Sequence, residues 1–108
     1  MNNVSITGRL TTDPTTKEAG AQEVTRFRIA IDNGPNPATY VDCEAWGRLG
    51  AAIAAHVCKG RLVAVTGTLR QAEWADGDGQ RHERHYVSAT YVDFLDRPTS
   101  VQSAPPAA

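Results

Sequence analysis

Alternation of apolar and polar residues with a period of two runs through five segments of this 108-residue chain, and it constrains the fold more than any other feature. Successive side chains of a β-strand point to opposite faces, so the pattern predicts strands with one face in a core and one in water. The segments are residues 4–10, 24–31, 39–46, 62–70 and 84–95. The chain is therefore predicted to be mainly β.

The same alternation predicts which side chains form the core. The predicted inward residues are Val4, Ile6, Gly8, Leu10, Phe27, Ile29, Ile31, Val41, Cys43, Ala45, Val63, Val65, Gly67 and Leu69. The predicted outward residues are Arg26 and Arg28 on the second strand, and Tyr40, Asp42, Glu44 and Trp46 on the third. Two cysteines are too few for a disulfide framework, so Cys43 and Cys58 are both predicted to be small buried apolar side chains.

A helical pattern occurs once, over about residues 48–58, between the third and fourth strands. Its apolar stripe is followed by Lys59 and Gly60, a typical helix end. Residues 12–15, the stretch around Gly20, residues 32–37 and residues 76–79 are predicted turns or loops. Three strands, one helix and two strands form the layout of a five-stranded Greek-key barrel, the OB-fold. A small α+β sheet fits the pattern equally well.

The length fits one domain, predicted to span residues 1–97, with a short disordered Pro/Ala/Ser tail at residues 98–108. Hydrophobic residues make up 41% and charged residues 21% of the chain, which excludes a wholly disordered protein. The sequence contains neither a membrane-spanning stretch of about 20 apolar residues nor a signal-peptide pattern. We therefore expect no membrane association and a cytoplasmic location.

The distribution of charge is uneven. The formal net charge of −1 argues against a protein that holds a polyanion by overall positive charge. Residues 45–72, however, contain no Asp or Glu and hold Arg48, Lys59, Arg61 and Arg70. This basic middle is compatible with a groove for a polyanion, and equally with an ordinary solvated surface.

Patterns typical of enzymes and metal sites are weak in this sequence. Residues 76–79 resemble the start of a calcium loop, but the later acidic ligand is missing. His82 and His85 would point to opposite faces of a strand, which does not suit a shared metal ion. The sequence has no phosphate-binding glycine loop and no nucleophile elbow. We predict no cofactor, no metal ion and no catalytic activity.

Five segments, in the same order, resemble the bacterial single-stranded DNA-binding protein (SSB) family. They are residues 3–14 (NVSITGRLTTDP), 24–30 (VTRFRIA), 46–49 (WGRL), 59–69 (KGRLVAVTGTL) and 74–81 (WADGDGQR). The resemblance covers roughly residues 1–95. It implies a non-enzymatic OB-fold that binds single-stranded DNA with little sequence preference. It also implies assembly, usually as a homotetramer, and work in replication, recombination and repair at the nucleoid.

The resemblance also implies a binding site. Family positions for base-stacking aromatics are taken by Tyr40, Trp46 and Trp74. Candidate phosphate contacts are Arg48, Lys59, Arg70 and Arg81, with Arg9, Arg26, Arg28, Arg61 and Arg84 as weaker candidates. For each ring, burial in the core is the alternative, and for each cation simple solvation or an ion pair. Tyr86, Tyr91 and Phe94 are compatible with a place in the core, at an interface or against DNA.

Three departures from the family pattern affect these expectations. Asp42 and Glu44 share the face of the stacking candidates, so we expect Arg26 or Arg28 to pair with them across the sheet. The loop over residues 32–38 is short and has no aromatic residue. The sequence ends without the family's acidic tip, which recruits replication and repair proteins. The alternative function is therefore an accessory OB module, similar to primosome components, that acts mainly through protein partners.

Overall fold

The computed structural model describes residues 1–95, which form six strands and one helix. The elements are β1 (Val4–Leu10), β2 (Thr15–Ala19), β3 (Gln22–Asn33), β4 (Asn36–Trp46), α1 (Gly47–His56), β5 (Leu62–Ala75) and β6 (Arg81–Phe94). The predicted tail and the predicted domain end at residue 97 lie outside the described residues. Within the described range, no helix is both long enough and apolar enough to cross a membrane.

Five of the strands close into a barrel in the order β1, β5, β6, β4 and β3. The ring is closed where β3 pairs with β1, through Ala30 opposite Arg9 and Ile29 opposite Leu10. β4 and β6 run parallel, and the other neighbours are antiparallel. This is the predicted OB-fold barrel with its helix between the third and fourth barrel strands. The α+β alternative is wrong, because β1 has partners on both sides.

The sixth strand corrects the prediction of a loop around Gly20. Thr15–Ala19 forms β2, which makes a hairpin with β3 through Gly20, at a φ of 68°. All five β2 side chains are exposed. An edge strand of this kind is held by its backbone hydrogen bonds, so it leaves no apolar alternation in the sequence. The predicted loop over residues 32–37 is likewise shortened to a turn at Gly34 and Pro35.

The barrel core is built mostly from the residues that the alternation predicts, and Val4, Ile6, Ile31 and Val41 pack against it while partly buried. Its buried side chains are Leu10, Phe27, Ile29, Cys43, Ala45, Ile53, Val57, Val63, Val65, Val87 and Val92. Leu69 is wrongly predicted, since it is 47% exposed. Its strand neighbour β1 begins at Val4, opposite Gly67, so Leu69 lies beyond the covered part of β5. The prediction that Cys58 is buried is also wrong, because this residue is exposed between α1 and β5.

Beyond the barrel, β5 and β6 continue as a two-stranded arm. The predicted strand over residues 62–70 extends to Ala75, and β6 begins at Arg81 rather than at residue 84. The two strands stay paired to Ala75 and Arg81, while β4 meets β6 only at residues 87 and 88 in the described part of the chain. Both faces of the arm are therefore accessible to solvent, and its tip is the turn over residues 76–80.

Candidate nucleic-acid interface

The outward side chains of β3, β4, β6 and β5 form one continuous surface, which we call the outer sheet face. In register, Arg28 lies opposite Asp42, and Arg26 opposite Glu44. Across the junction of β4 with β6, Tyr86 on β6 lies opposite Arg70 on β5, and His82 on β6 lies opposite Trp74 on β5. Paired residues on neighbouring strands share a face. Because Glu44 of β4 pairs with Ser88 of β6, the outward side of β3 and β4 is continuous with that of β6 and β5. The face comprises Arg26, Arg28, Tyr40, Asp42, Glu44, Trp46, Arg70, Trp74, His82, Arg84 and Tyr86.

The three aromatic residues singled out in the sequence all lie on the outer sheet face and reach solvent. Tyr40 is 56% exposed, Trp46 is 39% exposed and Trp74 is 48% exposed. Tyr40 and Trp46 stand on β4, whereas Trp74 stands on the arm. The core alternative is therefore wrong for these rings, and flat π-surfaces are presented at three separate places on one face.

Two of the rings carry a stacked neighbour. The guanidinium carbon of Arg28 lies 5.1 Å from the centre of the Tyr40 ring. The Trp74 indole is stacked on the His82 imidazole, with 5.5 Å between ring centres and 22° between planes. His82 Nε2 lies 2.7 Å from Asp76 Oδ2 in the turn. These contacts fix one side of each ring and leave the remaining surface open.

The third ring, that of Trp46, is hydrogen-bonded to the carboxylate of Glu44. The Trp46 indole N–H donates a hydrogen bond of 3.2 Å to Glu44 Oε1, and the other carboxylate oxygen lies 3.4 Å from Arg26 Nε. Glu44 is only 5% exposed, although it belongs to the outer sheet face. The expected cross-strand pairing is confirmed here, and it satisfies a carboxylate that would otherwise be buried without a partner.

The second acid, Asp42, is shared by two arginines. Arg28 Nε lies 3.8 Å from Asp42 Oδ1, which confirms the other expected pair. Arg84 Nη1 approaches Asp42 Oδ2 from β6, at 3.7 Å. The Arg84 guanidinium carbon lies 4.7 Å from the centre of the Tyr86 ring. Asp42 is therefore surrounded by positive charge.

The basic candidates divide into three groups by position. Arg26, Arg28, Arg70 and Arg84 lie on the outer sheet face, and Arg48 follows it at the start of α1. Arg81 lies on the opposite face of the arm from Trp74, where its Nη2 pairs with Glu73 Oε1 at 2.7 Å. Arg9, Lys59 and Arg61 gather at one end of the barrel, where Arg9 Nη1 donates to the Gly60 carbonyl. Arg26, Arg28 and Arg84, predicted as weaker candidates, therefore lie on the same face as the three aromatic rings. Lys59 and Arg81 do not.

The sequence left three aromatic residues of β6 open, and the structure separates them. Tyr86 is half-buried on the outer sheet face, and Tyr91 is 60% exposed on the β1–β5 side of the barrel. Phe94 packs against the core and beneath Arg61. A β-bulge at Thr66 and Gly67 inserts one extra residue on β6. Because the bulge reverses the alternation, simple periodicity fails beyond residue 89.

Two titratable groups in the described residues have clearly shifted pKa values. Burial raises the pKa of the Cys43 thiol to about 12, and the Asp42 carboxylate adds to the shift, so this cysteine stays protonated. Hydrogen bonds from His82 and from the Gln80 and Asp78 amides hold the pKa of Asp76 below its usual value. Across residues 1–95, no group of three or more His, Cys, Asp or Glu side chains is arranged to hold a metal ion.

Comparisons with known proteins agree with the resemblance. The family model described as "Single-strand binding protein family" matches residues 1–95. A single-stranded DNA-binding protein of Caldanaerobacter subterraneus is 35% identical over 103 residues, covering 89% of this chain and 69% of that protein. One from Clostridium perfringens is 35% identical over 100 residues, covering 89% and 67%. One from Treponema pallidum is 36% identical over 103 residues, covering 88% and 58%.

Proposed function

Because the chain belongs to the single-strand binding protein family, we propose that it binds single-stranded DNA along the outer sheet face, with little dependence on base sequence. The observation that carries this proposal is the placement of Tyr40, Trp46 and Trp74, all exposed, on one face with arginines between them. Every base has a π-face, so stacking on such rings is tolerant of sequence.

The rings supply the contacts to bases. A base stacked on an aromatic side chain contributes about 1–3 kcal/mol to binding. Tyr40 and Trp46 lie six residues apart on β4, and Trp74 lies on the arm, so the proposed strand crosses from the barrel to the arm. The Trp74 ring, projecting away from the barrel, would hold a base at the far end of this path.

Arginines supply the contacts to phosphates. Arg26, Arg28, Arg70 and Arg84 lie along the same path, and Arg48 extends it beyond Trp46. Contacts of this kind position the strand and release counterions, which makes binding depend on salt. Arg9, Lys59, Arg61 and Arg81 are proposed as contacts for a longer strand that continues around the barrel or along the back of the arm.

The biological role and the assembly are part of the same proposal. We propose that the protein covers single strands during replication, recombination and repair, at the nucleoid in the cytoplasm. We also propose that copies of the chain assemble, most simply as a homotetramer, and that replication or repair proteins are its protein partners. Sedimentation at micromolar concentration tests the assembly, and a monomer would contradict it.

An accessory module that acts mainly through protein partners is the alternative, and the two acids on the outer sheet face favour it, because carboxylates repel phosphate. Both acids are paired with arginines, however, and Arg26, Arg28, Arg70 and Arg84 outnumber Asp42 and Glu44. The net charge of the face is therefore positive, which supports a polyanionic ligand.

Titration with a dT oligonucleotide of about 30–70 nucleotides tests the proposal, with tryptophan emission as the signal. We expect saturable quenching, tighter binding to single strands than to duplex, and a log–log salt slope of about −0.7 for each neutralised phosphate. Unchanged emission together with no shift in a native gel would contradict DNA binding and support the protein-partner module.

A further inference from the structure

The structure points to a second role for Asp42, one that rests on the proposed function. We propose that Asp42 limits the affinity for DNA: in the free protein its carboxylate occupies the place between Arg28 and Arg84 that a DNA phosphate takes in the complex. The strand must then displace this carboxylate in order to bind.

The position of Asp42 in the sheet carries the first step. β4 lies between β3 and β6, so the two arginines reach Asp42 from opposite sides. Their nitrogens lie 3.8 and 3.7 Å from its oxygens, beyond the 2.7–2.9 Å of a short charge-assisted hydrogen bond. The Asp42 side chain is also 48% exposed. The carboxylate is therefore held mainly by electrostatic attraction and is easily exchanged for another anion.

The two guanidinium groups have a second means of support. Arg28 lies over Tyr40 and Arg84 lies over Tyr86, in cation–π contacts that do not involve Asp42. The arginines therefore keep their places when the carboxylate moves away. We call the place between the Arg28 and Arg84 guanidinium groups, where the Asp42 carboxylate lies, the phosphate seat. A phosphate suits it, because a phosphate offers several acceptor oxygens to such planar donors.

Glu44 provides a contrast on the same strand. Its carboxylate is buried and accepts a hydrogen bond from the Trp46 indole, so it belongs to the framework of the face. Asp42 instead borders an open groove of about 400 Å³, whose other charged lining residues are Asp13, Arg26, Arg28 and Arg84. An incoming phosphate can therefore reach and displace the Asp42 carboxylate, whereas the buried Glu44 carboxylate is not accessible to it.

Charge gives the direction of the effect. Two arginines and one aspartate carry a net charge of +1, and Asp42→Asn raises it to +2 while it preserves the size of the side chain. Both arginines lose an exposed ion pair to Asp42 in this variant, so binding to a dT oligonucleotide should tighten about eightfold, within a range of about two- to thirtyfold. The salt slope should become steeper by up to about 0.7, the value of one phosphate.

The experiment compares Kd values of wild type, Asp42→Asn and Asp93→Asn for the same oligonucleotide of about 35 nucleotides. Asp93 is exposed on β6 opposite Ala64, on the β1–β5 side of the barrel, so its substitution makes the same change in net charge away from the phosphate seat. We expect tightening for Asp42→Asn and a Kd within about twofold of wild type for Asp93→Asn. The double variant D42N/R84Q should lose the gain. Thermal melting verifies that each variant is folded.

Each other outcome contradicts the proposal. If wild type binds and Asp42→Asn binds equally or more weakly, Asp42 orients the arginines and does not compete with phosphate. Equal tightening by Asp93→Asn would show that the effect depends only on the net charge of the protein. Tighter binding that persists in D42N/R84Q would show that Arg84 does not contribute to the phosphate seat. Failure of wild type to bind any single strand refutes the proposed function itself, and this inference with it.

Discussion

The indole N–H of Trp46 donates a hydrogen bond of 3.2 Å to Oε1 of Glu44, two residues earlier on the same face of β4. The other oxygen of Glu44 lies 3.4 Å from Arg26 Nε on the neighbouring strand. A buried acid thus connects a candidate base-stacking ring to a candidate phosphate contact. The orientation of Trp46 is set before any ligand arrives, which lowers the cost of ordering the site on binding.

Substitution of Glu44 should separate its charge from its role as an acceptor. Glu44→Ala removes both, and we expect it to lower the free energy of unfolding by about 1.5–3 kcal/mol, the worth of a hydrogen bond to a charged group. Glu44→Gln retains an oxygen for the Trp46 indole, so its loss should be about half as large or less. Urea denaturation measures both. Equal losses for the two variants would show that the indole hydrogen bond contributes nothing.

Trp74→Ala should weaken binding to single-stranded DNA by about 1–3 kcal/mol, because one stacking surface is lost. The ring is 48% exposed on the arm, so the melting temperature should change little. Tyr91→Ala is the matched control, since Tyr91 is 60% exposed but lies on the β1–β5 side of the barrel. A Trp74→Ala variant that binds normally, or that unfolds, would contradict the role given to this ring.

The Asp76–His82 contact predicts a stability that depends on acidity. Hydrogen bonding to His82 and to two turn amides lowers the pKa of Asp76 in the folded protein. A depressed carboxyl pKa contributes stability above its unfolded value of about 3.9, and this contribution is lost as pH falls through the lower folded value. Asp76→Asn should remove that dependence. Thermal melting from pH 7 down to about pH 2 measures it, and parallel pH curves for the two proteins would contradict the assignment.

Glycine at position 67 is required by the close approach of β6. A Cβ at Gly67 would clash with the Ser88 carbonyl oxygen, which is backbone and cannot move aside easily. We expect Gly67→Ala to destabilise the barrel by about 1–3 kcal/mol, the usual cost of overpacking. Gly77→Ala is the matched control, because it meets nothing within 4 Å and its φ is not positive. Urea denaturation that ranks the two variants equally would refute the close approach.

Most of the barrel could be predicted from sequence because one face of each barrel strand is buried. Apolar and polar residues alternate in the sequences of β1, β3 and β4, and Phe27, Ile29 and Cys43 are buried as expected, although Glu44 on the outward side of β4 is buried as well. Where neither face of a strand segment is buried, the alternation of apolar and polar residues is lost from the sequence. β2 has five exposed side chains, and Leu69 lies beyond the end of β1, so neither a strand nor an exposed leucine could be inferred there.

The candidate site was only partly predictable for a related reason. The alternation places Tyr40 and Trp46 outside, and the cross-strand pairing of Arg26 with Glu44 follows from the same register. The approach of Arg84 to Asp42 depends on the parallel pairing of β4 with β6. These strands are far apart in sequence, and short-range periodicity contains no information on which distant strands become neighbours.

Fluorescence titration of two single-tryptophan variants tests the central claim most directly. Trp46→Phe leaves Trp74 as the only indole, and Trp74→Phe leaves Trp46. Each is titrated with the same dT oligonucleotide. If single-stranded DNA lies across the outer sheet face, both remaining tryptophans are quenched at saturation, and added salt restores their emission. If DNA binds while neither emission changes, or if no DNA binds, the strand does not lie on this face.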